Sequence, residues 1–349
     1  MLRSRIPSLP SDHGRSVRRT ASSRRPARAR LGRALAILAL AIPVAAAVDH
    51  SSATAVITPQ ANAQSVVPAQ PLQGYLLYLD PSGQLDEYVG EALNGINGPL
   101  GAPGPPAAVD TTVPCRPTPA HPRPVILVHG TFDNGPNTMP RLGEPLRAEG
   151  FCVIAPTFGA YAGNPARGGL DSIVGTSGPQ LAAVIDHVRA VTGAEQVDLV
   201  GYSQGAAIAG YATKVLRPGA VHRVVSVGGY WGADNSGIVP HQLPREVAGL
   251  GLWAANLRGL AELAPGSPML TAWNGLDRTP YLPGVGYTLI ATRGDQIMPP
   301  ERSFVPGPGV EWRVTEDVCG GSPNSHDGMA TDWRTHALVS RALGGIGGC

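Results

Sequence analysis

Beyond residue 124 the hydrophobic positions fall into short continuous runs separated by longer amphipathic stretches. Val125-Ile126-Leu127-Val128 is apolar at every position, as expected of a strand covered on both faces. Phe151-Cys152-Val153-Ile154-Ala155 is the next strand candidate, closed by Pro156. Leu181, Val184, Ile185, Val188 and Val191 then recur mostly at three-residue steps, the stripe of an amphipathic helix. Pro179 near its start and Gly193 just beyond its end are the expected punctuation. Val197-Asp198-Leu199-Val200 predicts a further strand, followed by a helix from Ser203 to about Leu216, stopped by Pro218. Val224–Val227, Tyr287–Ala291 and Val310–Val314 continue the strand series, and a last helix spans roughly Met329 to Leu343. Strand-helix-strand order at these lengths predicts a mostly parallel sheet flanked by helices on both faces.

Two regions depart from this rhythm. Residues 231–275 hold Trp231, Trp253 and Trp273, several leucines and many Gly and Pro positions. An insertion here would lie over the crevice at the strand ends, as a cap or acyl-pocket wall; ordinary core-packing helices are the alternative. Residues 64–114 offer one strand candidate, Tyr75–Leu79, and then a Gly/Pro/Ala-rich stretch from Gly98 to Pro106. They read as an irregular N-terminal extension to a catalytic domain at 115–349.

Charge changes the picture at the N-terminus. The formal net charge is +2, yet 10 of the 27 basic residues lie at or before Arg33, and Asp12 is the one acid there. The 14-residue apolar run Ala34–Ala47 follows, interrupted by Pro43, and then small residues. A basic region, an apolar stretch and small-x-small sites describe a signal peptide and a processed segment over residues 1–63. The run is short for a membrane span. Without residues 1–63 the chain keeps 17 basic against 23 acidic residues, a net charge of −6. A mildly acidic surface gives no support to nucleic-acid binding. The expected location is therefore secreted or extracellular, with association to the cell envelope as a variant.

Cys115, Cys152, Cys319 and Cys349 all lie beyond that segment, and their spacing matches no zinc pattern. Four cysteines in an exported chain suggest two disulfides, with three pairings open. Cys115 and Cys152 each lie near one end of a strand–helix–strand unit, which favours Cys115–Cys152 and Cys319–Cys349.

The candidate chemistry begins at Gly201-Tyr202-Ser203-Gln204-Gly205. With 45 glycines in 349 residues the pentapeptide alone could arise by chance. A strand before it and a helix after it make it the sharp turn that lifts a nucleophilic serine out of a sheet, the signature of the α/β-hydrolase fold. A serine hydroxyl is a poor nucleophile until a base, held in the right tautomer by a third group, takes its proton. His222, His241, His326 and His336 follow Ser203. His222 starts a strand, His241 lies in the insertion, and His336 is inside the last helix. His326 sits in the polar loop Gly320–Gly328, after a strand and before the final helix, where a base is needed. Asp295, just after the Tyr287–Ala291 strand, is the expected acid, ahead of Asp198, Asp234 and Asp277; Asp327 is read as the cap of the final helix. The backbone N–H groups of Gln204 and Thr131 are the expected oxyanion donors, with Thr131 able to add its hydroxyl. His129-Gly130 is read as the structural approach to that turn.

Several segments together resemble the actinobacterial class 2 triacylglycerol lipase family: Cys115-Arg116-Pro117, His121–Phe132, Gly150-Phe151-Cys152-Val153, Thr192–Gly205, Gly266-Ser267-Pro268 and Pro283–Thr288. The resemblance covers about Cys115 to the C-terminus. It implies an exported esterase or lipase with Ser203, Asp295 and His326 as triad, Thr131 and Gln204 as oxyanion hole, and a Cys115–Cys152 bridge. The chain departs from the family in two places. Such lipases commonly show His-Ser-Gln-Gly-Gly, whereas Tyr202-Ser203-Gln204-Gly205-Ala206 looks like the serine motif of cutinases, and Trp231–Pro265 is unlike the family text. The expected function is therefore triacylglycerol or other ester hydrolysis; the alternatives are a cutinase-like polyester or short-ester hydrolase and an envelope acyltransferase. The expected partner is a lipid or other ester, with transient contact at a lipid interface. No cofactor is implied, and no paired Asp/Glu/His cluster argues for a metal.

Overall fold

The computed structural model describes residues 105–136, 139–231, 257–264 and 266–349. The expected export segment, the Tyr75–Leu79 strand and the middle of the tryptophan-rich insertion, with His241 and Trp253, lie outside the described residues. The described residues belong to one unit, Gln64–Cys349.

The apolar runs become β1 (Val125–Val128), β2 (Val153–Ile154), β3 (Val197–Tyr202), β4 (Val221–Val227), β5 (Gly286–Ala291) and β6 (Val310–Val314). Among the described residues they form one sheet in the order β2-β1-β3-β4-β5-β6, with every pairing parallel. All four β1 side chains are buried because the sheet is covered twice. Val125 and Leu127 face one apolar cluster, and Ile126 and Val128 face the other, the two-residue alternation of a strand.

On the first face lie α1 (Met139–Ala148) and α8 (Trp333–Ala342), whose Met139, Leu142, Leu146, Leu338 and Val339 pack with Val200, Val225 and Ile290. On the second lie α2 (Gly178–Thr192) and α3 (Gln204–Tyr211), the latter continued by a wider turn to Leu216. α2 has Pro179 in its first turn and ends on Gly193 at φ 75°, a left-handed conformation that glycine adopts without steric cost. Its stripe is one residue shorter than the periodicity predicts: Leu181, Val184, Ile185 and Val188 are buried, and Val191 is exposed.

The described part of the 231–275 region is divided between two roles. α4 (Arg258–Ala261) lies beside Gln204, where a Cβ on Gly259 would meet its side-chain amide, while α5 (Pro268–Asn274) packs into the core against α3. Trp231 and Trp273 are fully buried in edge-to-face contact, ring centroids 5.3 Å apart. Gly210 of α3 lies so close to the Trp273 ring that a Cβ there would collide with it. Ordinary core packing, the alternative to a cap, thus describes α5.

α6 (Pro300–Ser303) and α7 (Thr315–Cys319) complete the elements before α8. The end of the chain corrects one expectation. A short 3₁₀ turn, Asp327–Ala330, is separated from α8, and the α8 cap is Asp332, whose carboxylate accepts the Arg334 N–H at 2.9 Å. Asp327 instead begins the turn beside His326. Both favoured disulfides form, Cys115–Cys152 and Cys319–Cys349. By loop-closure entropy each is worth roughly 3–4 kcal/mol to the folded state.

Candidate active site

Strand order reverses between β2-β1 and β3, so the crevice outside the C-terminal ends of β1 and β3 is where an open parallel sheet binds ligands. Thr131 and Ser203 stand at those two ends.

Ser203 connects β3 to α3 with φ 53° and ψ −124°, a left-handed conformation that is strained for a residue with a side chain. The glycines around it answer to contacts. A Cβ on Gly201 would run into the backbone of Ala206, and one on Gly205 would run into the Val128 carbonyl oxygen. The motif therefore lets α3 lie directly against β1 and β3. The Ser203 N–H donates to the Val227 carbonyl at 3.0 Å, locking the turn to β4. Ser203 keeps 9% of its surface exposed.

Asp295 and His326 meet on the same edge. The Asp295 Oδ2 lies 2.6 Å from His326 Nδ1, and both side chains are almost entirely buried. The other carboxylate oxygen accepts the Ile297 and Met298 N–H groups at 2.9 and 2.7 Å, so the turn after β5 fixes the acid. With Nδ1–H donated to a carboxylate, the lone pair of the neutral imidazole is on Nε2, as a general base requires. Gly228, the residue after the Val227 that holds Ser203, is what the pair packs upon. A Cβ there would stand 3.0 Å from Asp295 Oδ2 and 3.4 Å from His326 Cε1.

Gln204 is the first residue of α3, where a backbone N–H has no intrahelical acceptor and the helix dipole favours negative charge. Thr131 reaches the same place from β1. A Cβ on Gly130 would lie 3.0 Å from Ser203 Cβ, and one on Gly169 would lie 2.8 Å from Thr131 Cα and 2.5 Å from Gln204 Oε1. The Thr131 turn is braced by His129, whose Nε2 accepts the Phe158 N–H at 2.9 Å while Nδ1 donates to the Gly130 carbonyl at 2.8 Å. Burial lowers the His129 pKa, opposed by the Gly130 hydrogen bond and Asp133. A neutral histidine satisfied at both nitrogens is a brace, in agreement with the structural role expected from sequence. Phe132, at φ 66°, turns the chain away and donates its N–H to Gly168.

Of the five residues singled out from sequence, the structure sets Asp295 against His326 and the Thr131 turn against Ser203 and Gln204; the described rivals lie elsewhere, and His241 and Asp234 fall outside the described residues. His222 pairs with Asp198 at the opposite ends of β3 and β4, and His336 lies 3.0 Å from the Ala330 carbonyl. Asp277 is held by Lys214. Tyr202 went unnoticed as a contact: its hydroxyl donates to the His326 carbonyl at 3.0 Å and lies 3.4 Å from Asp327 Oδ1. Its position next to the serine was the available signal. Thr292 and Asn324, which link the Asp295 turn to the His326 loop, carry no signal in sequence. A cavity lined by Asp110, Pro140, Arg147 and Pro156 touches none of the five residues, so it is not this site. Among the described residues no cluster of three His, Cys, Asp or Glu side chains could hold a metal.

The sequence matches the family described as alpha/beta hydrolase fold over residues 123–270. Together with the parallel sheet and its flanking helices, this gives the chain the α/β-hydrolase fold. A search of curated proteins finds no match. Among solved structures the chain is similar to lipase B of Aspergillus fumigatus, at 18% identity and TM-score 0.49, covering 65% of this chain and 54% of that one. It therefore spans about half the length of that lipase. It is also similar to the putative non-heme bromoperoxidase BpoC of Mycobacterium tuberculosis H37Rv, at 18% identity and TM-score 0.43, covering 62% and 91% of the two chains. An esterase from Exiguobacterium antarcticum has 16% identity and TM-score 0.41, over 63% and 91%. The family match carries the fold and stops short of the triacylglycerol lipase subfamily.

Proposed function

We propose that the protein is a serine hydrolase of carboxylic esters, working through an acyl-enzyme on Ser203. The observation that carries this is the buried Asp295–His326 hydrogen bond beside a serine held at φ 53°. In the proposed cycle Ser203 Oγ attacks the ester carbonyl carbon and its proton passes to His326 Nε2. The carbonyl oxygen becomes the oxyanion and is met by the Gln204 and Thr131 N–H groups, each worth on the order of 10²–10³ in kcat. The tetrahedral intermediate collapses, breaking the bond to the alcohol oxygen, which takes the proton from Nε2. Water then gives its proton to His326 and attacks the acyl carbon. The second collapse releases the carboxylic acid and returns the proton to Ser203. Asp295 stays ionised and stabilises the imidazolium.

For substrate class we favour lipidic esters such as acylglycerols, the class implied by the resemblance of the chain from Cys115 onward. A second reading, cutinase-like cleavage of polyesters and short esters, is favoured by Tyr202-Ser203-Gln204-Gly205-Ala206. A chain-length series of p-nitrophenyl esters alongside emulsified triglyceride separates the two. Rates that rise with chain length and at the emulsion surface support the first; rates confined to short soluble esters support the second. Ser203→Ala retaining full activity overturns both. We further propose that residues 1–63 direct export and that the extension and catalytic domain divide near residue 115; two disulfides suit an oxidising compartment.

A further inference from the structure

The loop that presents His326 has no regular structure of its own from Gly320 to Ser325, yet its histidine must stand within hydrogen-bond reach of two partners in the turns after β3 and β5. Two side chains tie it down, one from each side. The Tyr202 hydroxyl donates to the His326 carbonyl at 3.0 Å, and the Tyr202 and His326 ring centroids are 5.2 Å apart. The buried Thr292 hydroxyl accepts the Asn324 N–H at 3.0 Å, two residues before the histidine. Tyr202 adjoins Ser203 in the chain. Thr292 opens the turn of Asp295, whose N–H donates to the Thr292 carbonyl at 3.2 Å.

The second tie has a defined polarity. A threonine hydroxyl has one proton, and here it is donated to the Glu316 carboxylate. The oxygen lone pairs are thereby left to accept from Asn324. Glu316 is itself nearly buried on α7, just before the Cys319 whose disulfide holds the chain end. Gly294 completes the junction: a Cβ there would collide with the Asn324 carbonyl oxygen.

We propose that Tyr202 and Thr292 are positioning residues which register the general base against both other members of the triad. Each tie runs from the immediate neighbourhood of one partner, nucleophile or acid, to the backbone of the base loop. His326 is thus located relative to Ser203 and Asp295 at once, with Glu316 orienting the Thr292 hydroxyl. Both side chains are buried, so loosening either tie is expected to act on the proton transfer and leave binding alone. A misplacement of about 1 Å can cost on the order of 10² in rate. This inference rests on the proposed triad.

The test is steady-state hydrolysis of a soluble p-nitrophenyl ester by Thr292→Val, Thr292→Ser, Tyr202→Phe and His326→Ala, with melting temperatures. Thr292→Val keeps the shape and loses both hydrogen bonds; kcat is expected to fall roughly 10–100-fold with KM little changed. Tyr202→Phe is expected to lose roughly 10-fold in kcat. Thr292→Ser, which keeps the hydroxyl, restores kcat. Wild-type kcat in both Thr292→Val and Tyr202→Phe, beside an inactive His326→Ala, would overturn this proposal and leave the triad standing. So would a Thr292→Ser variant as impaired as Thr292→Val with the same loss of melting temperature. Full activity of His326→Ala would instead overturn the triad itself.

Discussion

Two histidine–aspartate pairs sit at opposite ends of the same parallel sheet. At the C-terminal edge, His326 and Asp295 are 2.6 Å apart and buried, each supplied by a loop. At the N-terminal edge, His222 and Asp198 are 3.1 Å apart, on the strands themselves. β4 carries one extra residue against β3 there, since Val197 pairs with Val221 and Asp198 with Arg223, and the extra residue is His222. Such a bulge re-aims a side chain, here toward the aspartate. Arg123 approaches the same carboxylate at 3.5 Å. The chemical partners are alike, and the neighbours are not. Asp198 lies five residues before Ser203 along β3, a separation of roughly 16 Å in an extended chain. What sets the pairs apart is their end of the sheet, and it is why His326 is the proposed base: parallel strands gather their C-terminal loops, the Ser203 turn and the α3 N-terminus at one edge.

The two edges are expected to differ most at the histidines. His326→Ala is expected to lower kcat for ester hydrolysis on the order of 10⁶-fold, while His222→Ala stays within a few-fold of wild type. Steady-state rates on one soluble ester measure both. Equal losses would erase the distinction. At the acids, Asp295→Asn should cost on the order of 10⁴ in kcat by leaving the imidazole in the wrong tautomer. Asp198→Asn should leave kcat alone, and rate measurements on the two purified variants decide it. A smaller effect is expected of Gly228→Ala, whose new methyl would press on Asp295 and His326 at a φ of 50°. A loss of roughly 10–100-fold in kcat is predicted, with no counterpart at the other edge.

The subtlest contrast is in stability against pH. Burial raises the Asp198 pKa above 3.8, with His222 and Arg123 pulling it partly back. A folded-state pKa above the unfolded one means that the folded protein binds the proton more tightly. The contribution is fully present below the unfolded pKa and is lost as pH rises through the folded value. The melting temperature of wild type relative to Asp198→Asn should therefore decline from pH 3.8 upward through the raised pKa. A difference independent of pH across that range would contradict the assignment.

How much of this was legible in sequence depends on the range of the contact involved. β1 was plain because a sheet covered on both faces demands an apolar residue at each position from Val125 to Val128. The serine turn was plain because its glycines are required by backbone approaches within a few residues or to the next strand. His326 and Asp295 emerged by their places after strands. β2 is shorter than its apolar run, since only Val153 and Ile154 pair with β1. Val191 has the right spacing but falls at the last turn of α2, beyond the covered face. The capping aspartate was misplaced because the 3₁₀ turn and α8 are separate, with their division at Thr331 and Asp332. The ties from Tyr202 to His326 and from Thr292 to Asn324 span 124 and 32 residues, and no local pattern encodes such pairings. The core role of Trp273 is hidden for the same reason, because it depends on a bare glycine face at Gly210.

The most direct measurement is intact-protein mass spectrometry after exposure to a fluorophosphonate, followed by peptide mapping. One adduct per chain is expected, on Ser203, absent in Ser203→Ala, strongly slowed in His326→Ala and unchanged in His222→Ala. An ester-hydrolysing wild type that takes no adduct, or takes it on another residue, would contradict the proposed role of Ser203.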